Sequence, residues 1–282
     1  MNIKNIMKLS IITINYNNLE GLKRTYESVV SQTFQNFEWI IIDGGSTDGS
    51  KEFIEEHQER FTYWCSEPDK GVYNAMNKGI VKANGEYLNF MNSGDSFYDE
   101  HTLKNVFSQE LVADLVYGDW IRVYPDHEEY KAAPPKAFYA TVFFDNVCHQ
   151  AMFIKSKVLK QRGYDDNMHI LADWKRWIEM SLEEQTFQYI PLTICRFEAA
   201  MGLSENVSEQ HSRERERLYD LMPVEISRQI KKYNKLYLQN WEYNNNPIIY
   251  DTIRIASKGS SYKTKLIHIN LSIIKMLEKI FG

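Results

Sequence analysis

Residues 86–96, EYLNFMNSGDS, decide how this chain is read. The apolar run Tyr87, Leu88, Phe90 and Met91 predicts a buried strand, and it stops at the polar turn Asn92-Ser93-Gly94-Asp95. In an open α/β sheet, ligands bind beyond the carboxyl ends of the strands. A carboxylate there, beside a glycine that lets the backbone come close, suits a hard cation shared with a phosphate. The same residues also make an ordinary connecting turn, so the stretch alone leaves both readings open.

Toward the N-terminus the pattern repeats. KLSIITI (8–14) reads as a first buried strand, running into Asn15-Tyr16-Asn17-Asn18 and a helix over 19–32. FEWIIID (37–43) is a second strand, ending in Asp43-Gly44-Gly45-Ser46-Thr47-Asp48-Gly49, with Asp48 expected as the N-cap of a helix over 50–60. FTYWCSE (61–67) is a third strand, followed by Pro68-Asp69-Lys70-Gly71 and a helix over 72–83. Strands alternating with helices on short connections imply a Rossmann-like, mainly parallel, doubly wound α/β sheet. Asp43, Asp69 and Asp95 then lie on one edge, where they can converge on a ligand.

Past residue 96 the rhythm loosens. Residues 114–124 predict two short strands around Gly118-Asp119, and 128–138, EEYKAAPPKAF, a surface loop. His149-Gln150 leads into a strand (151–154) and a helix (156–163). A helix beginning near Leu171 carries Asp173 in its first turn, where the dipole favours a carboxylate. Residues 187–194 are a further strand. Residues 205–282 read as a helical C-terminal extension to a domain spanning 1–204. In the final helix, 262–281, Lys265, His268, Ser272, Lys275 and Lys279 share one face, opposite Ile269, Ile273, Met276, Leu277 and Ile280. That pattern suits an anionic membrane surface, packing on the domain, or pairing in a homodimer.

The chain has 282 residues, 43% hydrophobic and 25% charged, with a net charge of −5, which fits a globular protein and excludes a dedicated nucleic-acid binder. Cys65, Cys148 and Cys195 are far apart in sequence and form no CxxC, so a reduced setting without structural zinc is expected. No run reaches the roughly 18 apolar residues of a membrane helix. The expected location is the cytoplasm, with at most a peripheral contact to the inner membrane face. No GxGxxG follows a strand, which argues against a dehydrogenase. NYNNLEG lacks the Gly-rich basic phosphate loop of a nucleotidyltransferase.

With SIITINYNN, IIIDGGSTDGS, SEPDKGVYNAMNKGIVKANGEYLNFMNSGD and LADWKRW in this order, the chain resembles the family 2 glycosyltransferases of GT-A fold over roughly residues 8–200. The resemblance implies an inverting, metal-assisted enzyme of the surface-polysaccharide type. It would move a sugar from a nucleotide-sugar donor, a UDP-sugar first, to a glycan or lipid-linked acceptor hydroxyl. Asn15 and Tyr16 would line the nucleotide cleft, Asp43 would accept from the uracil imide, and Asp69 would hold base or ribose. Asn92 and Ser93 stand in the metal turn, where Asp95 would coordinate Mn2+ or Mg2+, and Asp173 matches the general base. Three positions depart from the family pattern: the turn keeps one carboxylate, Ala172 replaces the Glu before the base, and Gly44 replaces the Asp after Asp43. His149, just before a strand, is within reach of the diphosphate or acceptor but reads more simply as a hydrogen-bonded core or rim histidine, Trp174 and Trp177 as packing, Asp119 and Asp165 as turn residues. A nucleotidyltransferase and a catalytically degenerate sugar-nucleotide or glycan-binding module are the alternatives; the latter is expected to lose Asp95 or Asp173, and both are present.

Overall fold

The computed structural model describes residues 7–135, 137, 147–199 and 209–221. Its first half follows the predicted alternation: β1 (Leu9–Asn15), α1 (Leu19–Val30), β2 (Phe37–Asp43), α2 (Ser50–Glu56), β3 (Tyr63–Ser66), α3 (Val72–Lys82) and β4 (Tyr87–Phe90). These strands pair in parallel in the order β3-β2-β1-β4. Every residue of β1 is buried, as expected of a strand covered on both faces, and its β-branched run packs that position well. The order reverses at β1, between β2 and β4, which creates the crevice where such sheets bind ligands. The ladder sets Asn15 opposite Asp43 and Asp43 opposite Ser66, so three strand ends stand level.

The second half is mixed. It contains β5 (Ser96–Phe97), α4 (Thr102–Phe107), β6 (Leu115–Val123), β7 (Glu128–Lys131), β8 (Met152–Lys155), α5 (Ser156–Gln161), α6 (Ala172–Leu182), β9 (Phe187–Glu198) and α7 (Glu209–Tyr219). Among the described residues the sheet runs β3-β2-β1-β4-β8-β6-β9-β5, with β7 on β6. β8 is antiparallel to β4 and to β6, whereas β6 and β9 are parallel.

Three expectations are corrected. Residues 115–123 form one strand, not two: its register against β9 slips on either side of Asp119, and a Cβ on Gly118 would lie 2.5 Å from the Leu192 carbonyl oxygen. The bulge keeps a continuous strand where the sequence suggests a break. Part of the expected loop 128–138 is the edge strand β7, whose charged EEYK sequence hides it, and Ala133 and Pro134 are buried behind it. Asp48 stands one residue before the N-cap, Gly49, yet its carboxylate accepts from Ser50 N (3.1 Å) and Leu19 N (2.8 Å), holding the starts of α2 and α1 together. The expected final helix over 262–281 lies outside the described residues. Among those that are described, no helix is long and apolar enough to cross a membrane.

Candidate active site

The strand ends build the first part of the site. Asp43 is completely buried, and five donors converge on it: Asn15 Nδ2 (2.7 Å) and Ser46 Oγ (2.5 Å) on Oδ1, and Gly45 N (3.2 Å), Ser46 N (2.9 Å) and Ser66 Oγ (2.6 Å) on Oδ2. Burial alone would raise its pKa; the donors from Ser46, Ser66 and Asn15 outweigh burial and hold it below the ordinary value. With these donors Asp43 pegs together the ends of β1, β2 and β3.

The room above that peg belongs to Asp69 and Tyr16. A Cβ on Gly44 would lie 2.8 Å from Asp69 Oδ2 and 3.1 Å from the Tyr16 ring. The family's second aspartate would therefore collide with Asp69, and Gly44 is what lets that carboxylate approach. Asp69 Oδ1 accepts from Gly71 N (2.8 Å), while Oδ2 points over Gly44 beside the Tyr16 side chain, which is 67% exposed. Asn15 is buried with its amide on Asp43 and on Ser46 Oγ (3.1 Å), so it supports the cleft from below.

The turn after β4 closes with Asp95 N on Asn92 O (3.0 Å), and Gly94 at φ +106° takes the position that disfavours a side chain. Helix α1 grips it: Thr25 Oγ1 accepts from Gly94 N (3.0 Å) and reaches the carbonyls of Asp95 (2.7 Å) and Asn92 (3.0 Å), and Asn18 Nδ2 donates to Ser93 O (3.0 Å). Asp95 is 4% exposed; its Oδ1 accepts from Glu198 N (3.0 Å) and its Oδ2 from Gln150 Nε2. Burial pushes its pKa up to about 6 despite those donors. Asn92 Oδ1 and Ser93 Oγ are buried without a hydrogen-bond partner among the described residues. These hard oxygens, in one turn with the Asp95 carboxylate, fit a divalent ion. Among the described residues no group of three His, Cys, Asp or Glu could hold a metal unaided.

Asp173 sits in the first turn of α6, as expected. Its Oδ1 lies 2.8 Å from the Tyr73 hydroxyl and its Oδ2 3.1 Å from His149 Nδ1, with the two side chains of that second pair 16% and 15% exposed. The other ring nitrogen, Nε2, lies 2.8 Å from Asn92 Nδ2. Burial would raise the Asp173 pKa; the hydrogen bonds from His149, Tyr73 and the Trp174 N–H win and keep it below the ordinary value, so it is ionised at neutral pH.

Sequence reasoning missed His149 and Gln150 as site residues. β8 is antiparallel to β4, so the turn at its amino end falls on the carboxyl edge of the parallel strands. Helix α3 secures the segment before Asp173: Asn77 bonds both the N–H and the C=O of Tyr164 (2.9 and 2.8 Å), and Asn74 Nδ2 reaches Asp166 (3.2 Å). From the other side Glu214 of α7 accepts from the N–H groups of His169 (2.8 Å), Ile170 (2.9 Å) and Leu171 (2.9 Å).

Trp177 is buried against Tyr117 and Phe187, as a packing residue should be. Asp119 is more than a turn residue: Ala133 N (2.8 Å), Tyr189 OH (3.1 Å) and Tyr130 OH (2.5 Å) all donate to it. Cys148 and Cys195, distant in sequence, are spatial neighbours with sulfurs 3.6 Å apart.

The "Glycosyl transferase family 2" model matches residues 10–187. An uncharacterized glycosyltransferase of Mycobacterium tuberculosis is 47% identical over 90 residues, 32% of this chain, and the match spans 34% of that protein's length. A PGL/p-HBAD biosynthesis glycosyltransferase of Mycobacterium bovis BCG is 30% identical over 210 residues, covering 71% of this chain and 80% of that one. S. aureus TarS 1-349 in complex with UDP superposes with a TM-score of 0.62 at 17% identity, over 75% of this chain and 64% of that one. Mannosyltransferase PcManGT from Pyrobaculum calidifontis, in complex with GDP-Man and Mn2+, gives 0.55 at 14% identity, over 96% and 88%. Strand order, strand-end site and matched residues thus lead to one assignment: the chain belongs to glycosyl transferase family 2.

Proposed function

We propose that this chain transfers a sugar from a nucleoside-diphosphate donor, a UDP-sugar, to a hydroxyl of a glycan or lipid-linked acceptor, with inversion. The observation that carries the reading is the unbroken connection from the Asn92–Asp95 turn through His149 to the ionised Asp173. It couples a diphosphate-holding turn to a base. The exposed Tyr16 ring offers a face for a base to stack on, and Asp69 Oδ2 offers an acceptor for an imide N–H. Asp43 and Asn15 organise that cleft from beneath.

In this reading Asp95 holds Mn2+ or Mg2+, and the Asn92 and Ser93 oxygens meet the diphosphate or the water around it. The ion supplies charge neutralisation for the departing nucleoside diphosphate. Asp173 accepts the acceptor's hydroxyl proton as that oxygen bonds to the anomeric carbon. The anomeric C–O bond breaks, and its electron pair leaves on the diphosphate. A single base opposite the leaving group gives one displacement and inversion. The reading draws support from TarS and PcManGT, which share the fold and were solved with UDP and with GDP-Man and Mn2+. It assigns catalysis to 1–204, and to the 205–282 extension packing on the domain, a second subunit, or a membrane surface through 262–281 at the cytoplasmic face.

The test is thermal stabilisation by UDP, GDP, dTDP and CMP, with and without Mn2+, for wild type and Asp95→Ala. A ligand at about 100 times its dissociation constant adds roughly 2.7 kcal/mol. UDP is expected to stabilise in the presence of Mn2+, and Asp95→Ala to abolish the Mn2+ effect. Stabilisation by none of the nucleotides would sink the reading in favour of a degenerate glycan-binding module.

A further inference from the structure

We propose that His149 is the positioning residue of this site: a neutral Nδ1–H imidazole that locks the Asp173 carboxylate to the Asn92–Asp95 turn. The proposal rests on the reading of Asp173 as the base. Two contacts fix the tautomer. A carboxylate only accepts, so the nitrogen 3.1 Å from Asp173 Oδ2, Nδ1, carries the hydrogen. An amide NH2 only donates, so the nitrogen 2.8 Å from Asn92 Nδ2, Nε2, presents its lone pair. Both ends of the ring therefore ask for the same neutral form. The competing arrangement reverses the Asn92 amide and makes His149 a doubly protonated imidazolium; it is the outcome that would overturn the proposal.

The backbone delivers the ring with little freedom. His149 opens the single turn His149–Ala151 that precedes β8. The next side chain, Gln150, is buried with its amide on Asp95, and Asn89 Nδ2 donates to the carbonyls of Gln150 and Met152 (2.9 Å each). One short turn thus places one side chain on the proposed metal carboxylate and the adjacent one on the base. Tyr73 holds the other oxygen of Asp173. A carboxylate fixed at both oxygens presents its remaining lone pairs in set directions, as an in-line attack requires.

Two measurements on the full chain test this. The first is long-range 1H–15N correlation of the histidine rings near pH 8, with the His149 signals assigned by their loss in His149→Gln. A protonated Nδ1 with an unprotonated Nε2 is expected; an imidazolium or a protonated Nε2 overturns the proposal whatever the enzyme does. The second compares His149→Asn with His149→Gln in nucleotide release from UDP-N-acetylglucosamine and GDP-mannose, after circular dichroism shows both variants folded. Asn sets an amide nitrogen near the place of Nδ1, keeping the donor to Asp173 and losing Asn92. Gln reaches Asn92 and loses Asp173. His149→Asn is expected to raise the donor KM and keep kcat within a few-fold, and His149→Gln to lower kcat about a hundredfold. The acid limb of the kcat/KM profile should also move to higher pH in His149→Gln alone, because the hydrogen bond from Nδ1 is among the contacts that lower the Asp173 pKa. Equal effects of the two substitutions overturn the proposal. A wild type that releases nucleotide from neither probe, with the expected tautomer in place, counts against the transferase reading and leaves the pairing standing.

Discussion

At the scale of single residues, position was easier to read than direction. An aspartate ending a strand looks the same whether it is solvated or enclosed, and Asp43 is enclosed by Ser46, Ser66 and Asn15. Asp69 takes the open side because Gly44 vacates it. Replacing Asp69 by Asn puts a donor where an imide N–H needs an acceptor. UDP affinity should then fall about tenfold, roughly 1.4 kcal/mol, while CDP gains relative to UDP, as competition calorimetry would read. Unchanged UDP binding in that variant would remove Asp69 from base recognition. Asp173→Asn should lower transfer by about a hundredfold to ten-thousandfold with the UDP dissociation constant unchanged, measured by single-turnover kinetics beside equilibrium binding. A variant that transfers at the wild-type rate would mean another group takes the proton.

At the scale of elements, the parallel half was legible because β1, β2 and β4 are covered on both faces and read as largely apolar runs. The mixed half was not. β7 is a charged edge strand, β6 carries a bulge, and the antiparallel placement of β8, which delivers His149 and Gln150, is a long-range choice that no local pattern records. Helix α3 illustrates what packing adds to propensity. A Cβ on Gly79 would stand 2.5 Å from Cγ2 of Ile12, a buried residue of β1 whose branched side chain is stiff. Gly79→Ala gains about 1 kcal/mol of helix propensity and loses about 1–3 kcal/mol to overpacking, so a lower unfolding midpoint in urea is expected. A higher midpoint would show that β1 yields more readily than this packing implies.

At the scale of the whole molecule, buried carboxylates pull stability in opposite directions with pH. Asp43, Asp173 and Glu214 each have a lowered pKa, because donors outweigh burial. Their contribution is present above the ordinary carboxylate range and is lost as pH falls through their folded-state values. Asp95 is the reverse: raised from 3.8 to about 6, it binds its proton more tightly in the folded chain. Its contribution is full below the unfolded value and is lost as pH rises through about 6. The metal-free protein should therefore be most stable near pH 5, and saturating Mn2+ with UDP should move that maximum upward by engaging the ionised Asp95. Melting curves from pH 4 to 8 with and without both ligands would reveal this, and a maximum indifferent to them would separate Asp95 from the ion.

The three N–H groups that Glu214 holds lie at residues 169–171, while Glu214 itself lies far downstream in α7. During synthesis the sheet and the donor cleft are complete in sequence before that anchor leaves the ribosome. A nascent chain released after residue 204 would recognise its nucleotide while the amides of 169–171 exchange freely with solvent. In such a chain the segment that leads into Asp173 would lack its anchor from α7.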